Sequence, residues 1–150
     1  MHFPQINYLA VLVAGIVIFA LGGLWYSPVL FVKRWMALQG KTEEQMRAEA
    51  AKANMPLMYA SAFITGLIIA WTLALIIAHI SRDPIMAEAG GGVSVAHGAI
   101  IGFTCWLGFA ATTSYATALF SGKPKQLWFI DTTYNLVSFV LAGIILAAWR

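Results

Sequence analysis

Residues 57–80 read LMYASAFITGLIIAWTLALIIAHI, and no Asp, Glu, Lys or Arg interrupts the run. A helix that crosses the hydrocarbon core of a bilayer needs roughly 20 mostly apolar residues, and this stretch supplies them. Working outward, three more stretches have the same character: 8–31 on the N-terminal side, and 93–120 and 127–149 on the C-terminal side. A transmembrane β-barrel would instead show short segments of alternating polarity. These runs are continuous and rich in Leu, Ile, Ala and Gly. The reading is all-α: a polytopic integral membrane protein with four transmembrane helices in one bundle.

Composition agrees. Of 150 residues, 61% are hydrophobic and 10% are charged, and the mean hydropathy is +0.79. Soluble domains carry roughly a quarter charged residues, so this chain has too few to coat a water-facing surface. The four spans use most of its length, so the expectation is one transmembrane domain over residues 1–150. The first span is read as retained, not as a cleaved signal peptide, because Met1 to Asn7 carries no Lys or Arg and the apolar run is long. The single cysteine, Cys105, falls inside the third span and reads as a small packing residue.

The charge is unevenly placed. Lys33, Arg34, Lys41, Arg47 and Lys52 follow the first span, and Lys123 and Lys125 follow the third; the opposite loops and ends hold Arg82 and Arg150. Basic loops face the cytoplasm, so both termini are expected outside. The net charge of +3 is explained by this bias, and nucleic acid is not an expected partner. Between the first two spans, Thr42-Glu43-Glu44-Gln45 has the form of a capping box. It predicts a short cytoplasmic helix over about 42–53, either a partner-docking surface or a connector resting on headgroups. The loop from Ser81 to Gly92 ends in Gly90-Gly91-Gly92, which lacks the Lys and Ser/Thr of a phosphate loop.

Lipid supplies no hydrophobic drive for helix association, so close approach depends on small residues. Ser94, Gly98 and Gly102 form one such row, and Gly66 and Ala70 belong to another. These rows can join helices within one chain or between copies, and a homo-oligomer is expected. Beside the bilayer itself, no other partner is specified.

Asp131 is the acidic residue inside a predicted span. Ionisable groups there are costly and mark function by default. Asn135 lies one turn on and Tyr134 beside it; matched helix depths add Thr112, Thr113, Tyr115, Tyr59 and Tyr26. The functional reading is a pocket for a proton, a cation or a small polar solute. The structural alternative is that Asp131 favours its helix N-terminus or pairs with a loop lysine, since it lies about 7 Å from the helix start at 1.5 Å per residue. His79 and His97 are weak metal candidates without paired spacing, so no metal site and no cofactor are expected. No nucleophile–base pair is visible, and the chain reads as non-enzymatic.

The element Gly22-Gly23-Leu24-Trp25-Tyr26-Ser27-Pro28-Val29-Leu30-Phe31, with Trp35 after it, resembles an uncharacterised bacterial membrane family, domain of unknown function 1761. Trp106-Leu107-Gly108-Phe109, Leu119-Phe120 and the stretch from Gly143 to Trp149 are also similar to it. The resemblance implies a small multi-pass protein of the bacterial inner membrane, and no activity. Two functions compete: a small transporter or channel using the Asp131 pocket, and a scaffold assembling through the small-residue faces.

Overall fold

The computed structural model describes residues 4–82 and 92–149, and these residues form helices without a single strand. Four helices are long and apolar enough to cross a membrane: α1 (Tyr8–Trp25), α4 (Met55–Ile80), α5 (Val95–Phe120) and α6 (Lys125–Ala148). Two short helices, α2 (Val32–Leu38) and α3 (Glu43–Lys52), lie between α1 and α4. His2, Arg150 and most of the glycine loop, including Gly90 and Gly91, lie outside the described residues.

Local chemistry sets the helix ends. The Asn7 side chain accepts from the amides of Leu9 and Ala10 at 3.1 and 3.2 Å, and Asn54 accepts from Leu57 at 3.2 Å. Each satisfies donors that a helix start leaves without partners. The predicted capping box forms reciprocally between Thr42 and Gln45. The first span ends earlier than 31. After Trp25 the chain turns through Ser27, whose hydroxyl donates to Leu24 O at 2.7 Å, and Pro28 lacks the amide that would continue the helix. Val32–Leu38 then forms a helix that the charge pattern did not reveal.

Packing centres on α6. It lies against α1 and α4 on one side and takes its most extensive contact, with α5, on the other. The α1–α4–α6 core is built from small and branched residues, among them Ala14, Ile18, Ala70, Leu73 and Ala142. Only 22–28% of each span is buried inside the chain, so the remaining apolar faces are left for lipid. Hydroxyls on those faces are satisfied within their own helix: Thr65 donates to Ser61 O, Thr72 to Ile68 O and Thr133 to Phe129 O. A medium without hydrogen-bond partners demands this.

The α5–α6 crossing is the tightest. Gly98 and Gly102 abut Gly143 and the Phe139 carbonyl so closely that an added Cβ would overlap backbone. At the α1–α4 crossing Gly66 meets Gly15 and Ile18, and a Cβ there would fall 3.3 Å from Ile18 Cγ2. Ala70 is fully buried in the same helix. Ser94 has a different place. It is exposed and caps α5, accepting from the His97 amide at 3.2 Å; one residue before the helix, it cannot take part in the crossing.

Candidate functional site: the polar grooves around Asp131

Asp131 sits on the second turn of α6, at the end of the bundle where α2 returns toward the helices. Its Oδ1 accepts from the Tyr26 hydroxyl at 2.8 Å and from the Trp35 indole at 3.1 Å. Among the described residues its second oxygen takes no hydrogen bond, and no lysine lies within ion-pair distance. The one ion pair among those residues is Lys41–Glu49, on the exposed α2–α3 segment.

Tryptophans fix this part of α6 from three sides. Trp25 at the end of α1 donates to Ile130 O at 3.1 Å. Trp106 of α5 donates to Thr132 O at 2.9 Å. Trp128 of α6 itself donates to Ser114 Oγ at 3.0 Å. With Trp35 on the Asp131 carboxylate, four indoles hold one and a half turns of a helix whose backbone carbonyls still have a spare lone pair. Trp106 opens a wider-wound π segment, Trp106–Ala111, in the middle of α5. Such segments interrupt the normal ladder and are frequent at functional sites. The Thr132 hydroxyl lies behind Trp106, 4% exposed and with no partner.

Rings complete the collar. Tyr26 stands edge-on to Trp35 and to Tyr134, each at 5.7 Å. Tyr134 donates its hydroxyl to Ile18 O at 3.3 Å. Edge-to-face packing of this kind adds about 0.5–1.5 kcal/mol per pair beyond area burial, so the donors to Asp131 are held by packing as well as by their bonds.

Three grooves adjoin the collar. One of about 320 Å³ runs between α5 and α6, lined by Thr113, Ser114, Thr117, Lys123, Trp128 and Asp131. A second, also about 320 Å³, lies on the side of α2 and is lined by Trp35, Gln39, Lys123, Leu127 and Asp131 among others. The third, about 450 Å³, holds Phe19, Gly22, Tyr26, Tyr59 and Tyr134 between α1 and α4. Asp131 and Lys123 are common to the first two.

The residues expected to form one pocket are therefore distributed. Asp131, Tyr26 and Tyr134 form the collar. Tyr59 joins Tyr26 and Tyr134 in the third groove, and Thr113 joins Asp131 in the first. Thr112 stands apart: it is exposed, and its hydroxyl donates to Gly108 O at 2.7 Å. Thr113 also donates within its own helix, to Phe109 O. Tyr115 packs edge-on against Trp128 at 5.0 Å, outside the grooves named above. Asn135 is half-buried and makes no hydrogen bond among the described residues. His79 bonds Leu75 O at 2.8 Å and His97 bonds Ser94 at 2.9 Å. Among the described residues no three His, Cys, Asp or Glu side chains come together as a metal site would require.

Trp35 and Trp25 are the functional-site residues that sequence reasoning assigned elsewhere, as interface anchors. Their spacing from Asp131 gave no signal. The clue was Pro28, which turns the chain and brings Trp35 back over α6.

A family model described as a protein of unknown function, DUF1761, matches residues 9–147. No curated protein and no solved structure matches the chain.

Proposed function

The chain belongs to the DUF1761 family, whose function is unknown, and from that premise we propose that it is a small non-enzymatic carrier whose Asp131 carboxylate binds a cation, a proton or a small polar solute. One observation supports this above others. Two neutral donors, Tyr26 and Trp35, hold Oδ1, while the carboxylate borders two open grooves. Neutral donors orient a carboxylate without cancelling its charge, and what remains is attraction for a positive group entering from a groove. A purely structural anchor would be expected to close an ion pair with Lys123 or Lys125, and no such pair forms.

A polar row leads inward. Asp131, Tyr134 and Ser138 follow at helical spacing along α6, which carries polar groups about 10 Å into the bundle at 1.5 Å per residue. At the far end, a cleft of about 260 Å³ reaches Ala10, Ala74, Ile77 and Leu146. The packed core between the two is the barrier that a transport cycle has to open.

In this reading the protein lies in the bacterial inner membrane. The end carrying Asp131 and both basic connectors faces the cytoplasm, as charge bias favours, and both termini face outward. It assembles as a homo-oligomer through the broad apolar faces that four thinly buried spans leave. The scaffold alternative has less support, because Gly98, Gly102, Gly66 and Ala70 are used in crossings within one chain.

The test is uptake into proteoliposomes under an imposed pH or cation gradient, comparing wild type with Asp131→Asn. Uptake that Asp131→Asn abolishes, in protein that keeps its helical circular dichroism, is the expected result. Equal uptake by both, or none by either across protons, alkali cations and small amines, overturns the proposal.

A further inference from the structure

The groove between α5 and α6 carries opposite charges on one wall. Asp131 and Lys123 both line it, Trp128 adds an aromatic surface, and Thr113, Ser114 and Thr117 line the remainder. Asp131 and Lys123 make no ion pair with each other or with any other described residue. Two opposite charges that share a groove of about 320 Å³ and leave each other unpaired are complementary to a ligand carrying both signs. The groove lies near the end of two transmembrane helices. Its surroundings on the same helices are exposed and apolar: Leu119, Phe129 and Phe120, the last 90% exposed.

Resting on the reading of Asp131 as a cation site, we infer that this groove binds a primary ammonium joined to a phosphate, the headgroup chemistry of an aminophospholipid. The ammonium donates to the carboxylate at Asp131, and the phosphate meets Lys123. The hydroxyls beside them accept or donate as the headgroup requires, although Thr113, Ser114 and Thr117 each already donate to a carbonyl of their own helix. Their free lone pairs face a cation better than an anion, which fits an ammonium deep in the groove and a phosphate at its rim. Acyl chains then continue over Leu119, Phe120 and Phe129, where apolar surface lies open. A primary ammonium is favoured over a quaternary one because it can donate hydrogen bonds to a carboxylate. An anionic lipid without an amine would satisfy Lys123 and place its charge near Asp131.

The experiment is native mass spectrometry of the full chain released from detergent micelles after titration with phosphatidylethanolamine, phosphatidylcholine or phosphatidylglycerol of matched acyl chains. Wild type should retain phosphatidylethanolamine about tenfold more than the other two, the gain expected of one charge-assisted hydrogen bond. Asp131→Asn should erase that preference. Lys123→Gln, at an exposed position that does not threaten folding, should weaken all three lipids alike and leave their order unchanged. Equal retention of the three lipids by wild type overturns the inference, and so does a preference that survives Asp131→Asn. Soluble phosphoethanolamine separates the sources. Asp131-dependent displacement of the lipid by it assigns the chemistry to a free solute, and retention of the lipid against it assigns the headgroup. If wild type shows no lipid preference while Asp131-dependent uptake persists in proteoliposomes, this inference fails and the carrier reading stands. If both are absent, both fail.

Discussion

Replacing Gly102 with alanine should destabilise the bundle by about 2 kcal/mol. The three atoms nearest an added Cβ are the carbonyl oxygen and carbon of Phe139 and the Cα of Val140. All belong to the α6 backbone, so no side chain can swing aside and the two helices must separate. Forcing a methyl group into a close-packed site costs typically about 1–3 kcal/mol, and a rigid backbone neighbour puts this site near the upper end. Alanine is the better helix former by about 1 kcal/mol, which offsets part of the cost. The net of about 2 kcal/mol corresponds to a shift of roughly 30-fold in the folded-to-unfolded ratio. Two other glycines provide internal scaling. At Gly66 the new Cβ meets Ile18 Cγ2 at 3.3 Å, a side-chain contact that can yield, and the substitution should be near neutral. At Gly23 nothing lies within 4 Å, so alanine should stabilise by up to about 1 kcal/mol through helix propensity alone. Unfolding in mixed micelles by added dodecyl sulfate, followed by circular dichroism, measures all three. The expected stability order is Gly23→Ala, then Gly66→Ala, then Gly102→Ala. A Gly102→Ala protein as stable as Gly23→Ala would refute the close α5–α6 crossing.

Three further outcomes follow from single bonds. Trp106→Phe removes the indole donor to Thr132 O and should cost about 1 kcal/mol, the scale of hydrogen bonds between membrane helices, in the same unfolding assay. Tyr26→Phe removes one of the two bonds to Asp131 Oδ1; it should keep the fold but weaken Asp131-dependent binding several-fold, read by calorimetry with the same ligand that wild type binds. Thr42→Ala breaks the capping box of α3 and should cost about 1 kcal/mol locally, seen as faster amide exchange across Glu43–Lys52 with no change in the spans.

The four spans were legible because their signal is redundant: length, absence of charge and composition all agree within each run. The capping box at Thr42 was legible for a similar reason, since its reciprocal bonds need only residues three apart. The Gly98 and Gly102 row was readable as a packing face, but its partner was not. Nothing in a Gly-x-x-x-Gly row states whether the opposing backbone is Gly143 of the same chain or another copy. The site was half visible. Asp131 stood out by charge, and Tyr26 and Tyr134 by depth. Trp35 did not, because its place depends on a turn at Ser27–Pro28 followed by the short helix Val32–Leu38, and headgroup anchoring explained it equally well. Thr112 was misjudged from depth alone. A hydroxyl at the right level in a helix satisfies itself on the carbonyl four residues back unless the helix face turns inward.

The account's central claim is that the Asp131 carboxylate is a cation site. The sequence contains two aspartates, Asp83 and Asp131, so selective carbon-13 labelling of aspartate carboxyls yields two resonances in a lipid nanodisc, assigned by the loss of one in Asp131→Asn. Titration with alkali cations and with ethanolammonium should shift the Asp131 resonance in a saturable way and leave that of Asp83 unsaturated. An Asp131 resonance that stays fixed through both titrations would contradict the claim and leave Asp131 as a structural tie between α6, Tyr26 and Trp35.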